Sequence, residues 1–550
     1  MKQTLHIKEI KGFRCFLNTV KITNTINLKL LFLFLAISAF TACNKDDENN
    51  IFTTSEDIII NSTNSAGTAE GDINNTGADE DDLVENAIFG NTVQIVFSNT
   101  SVTITNPVPE DVIITQDGAD VTIYSSISEV AYEVSGATTD GMLKIYSDKK
   151  FKLSLSDLNI TNNDGPAINI QSSKTIFVVS EGTNNLTDAA NYSNIPENED
   201  AKAAFFSEGQ LVFSGSGTLN VTGNYKHGIA SDDYIRVISG TITVSKAVTD
   251  AIHSNDYLIV DGGTLNLTAG SDGIDCDEGY IIINNGTFTI NAVDDGIAAS
   301  YNIDEEDEPD DSITPNLTIN GGNFEINTSQ GEGIEAKEMI TINDGNLNIK
   351  AYDDGINAIG HLYINGGNTY VFSTLNDAID SNEGITITGG ITIAVAVRID
   401  MPDGSFDTDD NLFKITGGTI LGLALNTSFP TESESKQNSV IFDGVDANTI
   451  LNIQSEDGSE ALTYEVSNSV NTIIYSNAKL ETGKTYKIFT GGSVTNGSEV
   501  NGLYTSGTYS GGINYGTSFT IESTVTQIGG EMGPTGEPGG GGGPGGHGAN

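Results

Sequence analysis

The 550-residue chain has no tryptophan, five histidines, three cysteines and 24 basic residues against 75 acidic ones. Each shortage excludes something. Without tryptophan, aromatic platforms for neutral sugars are scarce, and Tyr225 and Tyr301 are the candidates that remain. Cys15 lies near the start, Cys43 closes an apolar run and Cys276 stands alone, so no disulfide framework is expected. The bases are also unevenly placed. Lys2, Lys8, Lys11, Arg14, Lys21 and Lys29 precede residue 43, leaving 18 basic against 74 acidic residues beyond it, a net charge near −56. Such a surface repels nucleic acid and anionic lipid, which removes both as direct partners. It attracts divalent cations and, through them, anionic polymers. For many single carboxylates, solubility alone is an equal explanation.

Long apolar runs are nearly absent too. The exception, Leu30 to Ala42, is too short to cross a bilayer as a stable helix but has the length of a signal-peptide core. Phe40-Thr41-Ala42-Cys43 resembles a bacterial lipobox, in which the thiol is acylated and becomes the new N-terminus. Asn44-Lys45-Asp46-Asp47-Glu48 resembles an acidic tag for export to the outer face of the outer membrane. These likenesses imply a signal peptide with an N-terminal extension over 1–42, lipidation at Cys43 and a cell-surface location.

What is abundant is glycine in a repeating frame. Residues 43–87 are polar, acidic and poor in apolar residues, which predicts a disordered tether. Beyond them an apolar position recurs at Ile229, Ile252, Ile274, Ile297, Ile334, Ile356 and Ile379, in steps of 23, 22, 23, 37, 22 and 23 residues. Phe206, and before it Ile168, extend the series backward, and insertions at 185–200 and 299–314 account for the long steps. Pairs at i and i+2 repeat in the same frame (Leu258/Val260, Ile281/Ile283, Ile340/Ile342). A Gly-Gly or Asn-Gly turn follows, as at Gly262-Gly263 and Asn285-Gly286, and then a third apolar pair such as Leu265/Leu267.

Each coil therefore reads as three short strands with one face buried, joined by tight corners. One coil cannot bury its own apolar face, so coils must stack. The expected fold is all-β, a right-handed parallel β-helix over 88–425 with about nine to ten coils of 22–23 residues. At about 4.8 Å per coil its core runs roughly 45 Å. Small residues two places after the aligned position (Ser231, Ser254, Cys276, Ala299) form an interior file, which makes Cys276 a rung rather than a nucleophile. Residues 426–528 leave the repeat and predict a small β module or cap, and 529–550 is a Gly/Pro-rich tail expected to be disordered.

Chemistry concentrates at the corner before each aligned isoleucine. Two places ahead stand His227, Asp250, Asp272, Asp295, Glu332, Asp354 and Asp377; one place after stand His253, Asp275, Glu335, Asn357 and Asp380. Stacking makes two files of carboxylates. Neighbours at coil spacing repel by about 1 kcal/mol in water and by several at an effective dielectric of 20. Ca²⁺, which takes six to eight oxygens, relieves the repulsion well, and Asp272, Asp275, Asp295, Glu332, Glu335, Asp354 and Asp377 are the candidate ligands. Turn capping, with aspartate accepting from backbone N–H groups, explains the same pattern without a metal. The inserted Asp304–Asp311 run overhangs the same edge, and His227 and His253 read as surface residues.

The ordered series NNDGPAINI, GSGTLNVTGNYKHGIAS, VTDAIHSND, GEGIEAKEMITIN, YDDGINA, DAIDSNEGITITGG and LETGKTYKIFTGGS resembles the carbohydrate-binding parallel β-helix family, over about residues 88–528. That family is similar to pectate lyases of polysaccharide lyase family nine. The resemblance implies Ca²⁺ along the helix, and binding without cleavage of an acidic polysaccharide such as polygalacturonate. Many relatives carry a lysine after the isoleucine of the corner, where this chain has Asp275. The expectation is thus a monomeric, non-catalytic glycan binder. A lyase using Lys337 or Lys226 as base is the enzyme alternative, with Lys246 the other base along this edge. A structural adhesin is the third.

Overall fold

In the computed structural model, residues 57–193, 195–301, 314–397, 403–516 and 518–529 are described. The signal segment, Cys43, the Asp304–Asp311 run and all but the first residue of the tail lie outside them. Strands dominate. Glu80–Asp82 and Val84–Asn86, two 3₁₀ turns, are the helical pieces among the described residues, and no helix there is long and apolar enough to cross a membrane.

The repeat frame becomes three-dimensional register. Ile229, Ile252, Ile274, Ile297, Ile334, Ile356 and Ile379 pair in succession along one parallel sheet. The second frame pairs likewise, Leu258 with Ile281 and Ile281 with Leu317. So does the third, Leu265 with Phe288 and Phe288 with Phe324. From the coil of Ile168 to that of Ile379, each coil thus contributes one strand to each of three stacks, and the inward side chains merge into one continuous buried cluster. Ser254, Cys276 and Ala299 stack in register inside it.

One alignment shifts by a residue. Phe205, not Phe206, pairs with Ile168 on one side and Ile229 on the other. With two phenylalanines in succession, spacing could not choose between them. Phe205 enters the core edge-to-face with Phe213, whereas Phe206 packs outside it with Ala203 and Ala230. The first insertion also sits later than 185–200, because strand Thr183–Thr187 precedes it.

Glycine serves the two corners differently. At the Asp-Gly-Ile corner a Cβ on Gly333 would meet the Gly355 carbonyl at 2.5 Å and collide with Ile349, so absence of a side chain is a condition of stacking. At the other corner Gly345 has φ +123°, which strains any L side chain.

Residues 58–87 do not form the tether their composition predicts. Ile58–Asn61 pairs with Tyr509 through Ser506, and the segment then runs along the coils as a strap. Asn365, Asn343, Asn320 and Asn284 each donate an Nδ2–H to it, at the carbonyls of Glu70, Asp72, Asn75 and Thr76, at 2.7–2.8 Å. Each also donates to its neighbour on the preceding coil. The strap has too little apolar surface to fold alone, and it is ordered by amides that the coils present to it.

At the far end strand Thr419–Ala424 pairs antiparallel with Thr472–Ser476, ending the parallel stack. Strands Thr449–Ser455, Glu460–Val466, Thr485–Thr490 and Leu503–Ser510 build a second, antiparallel sheet. Its apolar face buries Leu451, Leu462 and Tyr464 in one cluster with Ile393 and Leu421 of the last coils and Tyr475 of the strand that ends the stack.

Candidate functional site

The acidic corners form a ladder. At most of these corners the carboxylate two places before the aligned isoleucine accepts a hydrogen bond from the backbone N–H of its equivalent on the next coil. Asp250 accepts from Asp272 at 3.2 Å, Asp272 from Asp295 at 2.8 Å, Asp295 from Glu332 at 2.8 Å and Asp354 from Asp377 at 2.8 Å. Asp377 accepts from Gly404. Turn capping is therefore part of what these residues do, but each bond uses one carboxylate oxygen and leaves the second for other chemistry.

The seven candidate ligands divide into distinct groups. Asp272 and Asp295 converge with Asp294, one carboxylate oxygen of each lying within 4.8 Å of the other two. Burial, then Asp250 and Asp275, raises the Asp272 carboxyl well above its usual range. Burial, then Glu332 and Asp272, does the same to Asp295. The donors are all oxygen, which suits a hard divalent cation of the Ca²⁺ kind.

Asp275 belongs elsewhere. His253 Nδ1 lies 3.0 Å from Asp275 and 3.3 Å from Asp250, while His227 Nδ1 lies 2.9 Å from Asp250. The two rings stack at 4.3 Å. Both histidines are buried, contrary to the surface placement expected of them, because the acidic files flank them on adjacent coils. Burial pulls His253 down, but Asp250 and Asp275 outweigh it and lift it to about 10. Burial would raise Asp250, yet the two imidazoles hold it well below the carboxylate range. His227, dominated by burial, is lowered. Asp275 rises to about 7, burial outweighing the His253 bond.

Glu335 is also withdrawn from the file, since it pairs with Lys337. Farther along, burial and Asp377, Asp380 and Asp353 push Asp354 well up. Asp377 reaches about 8, chiefly through burial and against the Gly404 N–H, with Asp407 and Asp380 adding repulsion. Asp380 reaches about 7 through burial, Asp407 and Asp409.

Asp294 was missed in sequence, although the doublets Asp294-Asp295 and Asp353-Asp354 mark coils where one residue caps and its neighbour is also acidic. Of the candidate aromatics, Tyr225 is half-buried and stacked on Tyr192 at 4.2 Å, which covers one face of its ring.

A family described as carbohydrate-binding domain-containing protein matches residues 110–375 and 314–527. The chain belongs to that family. A member from Acetivibrio thermocellus is 30% identical over 111 residues, covering 19% of this chain and 39% of its own length. The chain thus spans about two fifths of that curated relative. Among solved structures, a polysaccharide lyase-like protein from C. thermocellum, a gadolinium derivative, aligns with TM-score 0.31 and 21% identity, covering 59% of this chain and 97% of that one.

Proposed function

We propose that this family member is a non-catalytic, Ca²⁺-dependent binder of acidic polysaccharide. Its scaffold is a right-handed parallel β-helix of nine to ten coils, monomeric and held at the outer membrane surface by a lipid on Cys43. The observation that carries the reading is the Asp272, Asp294 and Asp295 group, three carboxylates converging at one corner within 4.8 Å. Their mutual repulsion calls for a counter-ion, and a hard cation held there keeps coordination positions for outside oxygens. A uronate carboxylate fills such positions, which lets an acidic protein hold an acidic polymer.

Lys337 supports the non-catalytic half. Burial pulls its pKa down, but Glu335, Asp295 and Glu332 outweigh that and keep it above the ordinary lysine value. A proton abstractor needs the opposite shift. Lys246 donates to Asn224 at 3.0 Å.

Titration calorimetry with polygalacturonate in Ca²⁺ and in EDTA tests the proposal, alongside absorbance for unsaturated uronate. Binding that the chelator abolishes, with no absorbance rise, is expected. Equal binding in EDTA, or none in either buffer, would sink it.

A further inference from the structure

A second amide ladder stands on the outer face of the third strand stack, and it differs from the one beneath the strap. Asn346 donates to Asn323 at 2.9 Å and Asn368 donates to Asn346 at 2.8 Å. In the strapped ladder every Nδ2 donates twice, once to its neighbour and once to a strap carbonyl. In the second ladder only the neighbour bond is made among the described residues, and all three side chains are exposed.

These amides line a cleft of about 420 Å³. Its opposite wall is Val500 and Asn501, at the tip of the hairpin formed by Ser493–Val500 and Leu503–Ser510 of the C-terminal sheet. Val500 is 43% exposed there, an apolar edge in the same cleft as the amide ladder. Asn348 lies in the same cleft, donating to Glu325 while its buried Oδ1 has no hydrogen-bond partner.

We propose that this cleft is a second glycan site, independent of calcium, for an uncharged polysaccharide chain. Each amide has an unused N–H and an unused lone pair, the donor and acceptor combination that neighbouring sugar hydroxyls match. The amides repeat once per coil, at about 4.8 Å, close to the advance of one pyranose along an extended glycan. The strap demonstrates the binding mode on the same molecule, since an extended polar chain lying on an asparagine ladder satisfies its second N–H groups. No carboxylate of the cation corner lines the cleft, so the two sites call for different glycans: uronates through a metal at the corner, neutral hydroxyls directly at the ladder. Val500 fits the apolar face of a sugar ring, which needs no tryptophan.

The test uses the full chain in EDTA, titrated with cellohexaose and, separately, xylohexaose. Binding of at least one is expected, about tenfold weaker in Asn346→Ala/Asn368→Ala. Val500→Glu on the opposite wall leaves the ladder intact and is expected to weaken it as well, which covers the case where the ladder variant misfolds. Asp294→Asn/Asp295→Asn should leave hexaose binding unchanged while removing calcium-dependent polygalacturonate binding. The cleft proposal is overturned if neither hexaose binds, or if binding survives both cleft variants. Absence of calcium-dependent polygalacturonate binding in the unsubstituted chain, with hexaose binding present, would count against the cation site and not against the cleft.

Discussion

Arg236 and Asp82, 154 residues apart in the chain, form a buried ion pair with Nη1 3.2 Å from Oδ2. Arg236 also donates from Nε to Asp261 at 2.7 Å and from Nη1 to the Gly77 carbonyl at 3.1 Å. Tyr234 completes the cluster through its hydroxyl to Asp82. The strap is therefore locked at this end by charge, as it is fastened along its length by the asparagine ladder.

Asp82→Ala should release that end. Arg236 retains Asp261, so the expected loss of stability is about 1–3 kcal/mol, short of the cost of an orphaned buried charge. Proteinase K should cut within residues 62–88 much faster in the variant, with the coils still resistant. Unchanged cleavage would mean that the amide ladder alone holds the strap.

Much of this was legible in sequence, and the limits have physical causes. The isoleucine frame predicted the pairing of Ile252 with Ile274 and Ile297, because stacking converts a fixed interval into register. Cys276 was read correctly as an interior rung for the same reason. The strap was not legible: the partners of Glu70 and Asp72 are side chains some 270–295 positions away, and composition measures only what a segment buries by itself. At the site, the files were visible, but how they divide was not. Whether Asp275 faces a cation or His253 depends on contacts between coils that no interval encodes.

Asp295 has two roles that substitution can separate. Asp295→Asn keeps an oxygen to accept the Glu332 N–H but removes the charge. Asp295→Ala removes both. The Asn variant should keep near-parent stability and bind Ca²⁺ at least tenfold more weakly, read by terbium luminescence and competition. The Ala variant should lose the cation and also about 1–2 kcal/mol in urea unfolding. Full Ca²⁺ affinity in the Asn variant would reduce the corner to turn capping.

The same carboxylates set a pH dependence. A carboxyl whose folded pKa stands above its unfolded one favours the fold fully below the unfolded value and loses that contribution as pH rises through the folded value. Asp377, raised from 3.8 to about 8, and Asp275 and Asp380, each raised to about 7, all act in this direction. His253, raised from 6.5 to about 10, adds a contribution that is full below 6.5 and lost towards 10. His227 is lowered, so its effect lies below that window and opposes them only on acidification. In EDTA the melting temperature should therefore fall between pH 6.5 and 9. Ca²⁺ competes with protons for the same oxygens, so its stabilisation should grow over that interval. A melting temperature in EDTA that is flat or rising from pH 6.5 to 9 would contradict the raised values.

Cys276 tests the packing independently of any ligand. Its side chain is fully buried, stacked between Ser254 and Ala299, with its thiol 3.9 Å from the Tyr280 carbonyl. Burial and the adjacent Asp275 push the thiol far above its ordinary pKa, so neither thiolate nor access is available in the folded coil. In a Cys15→Ala/Cys43→Ala chain, labelling by a disulfide reagent should be negligible in native buffer and should track unfolding in urea. Cys276→Ala should be well tolerated, because alanine already occupies the next rung. Cys276→Leu should cost about 1–3 kcal/mol by overpacking the file. Rapid labelling of the native chain would show that the coil around residue 276 opens locally, which its place in the middle of the stack argues against.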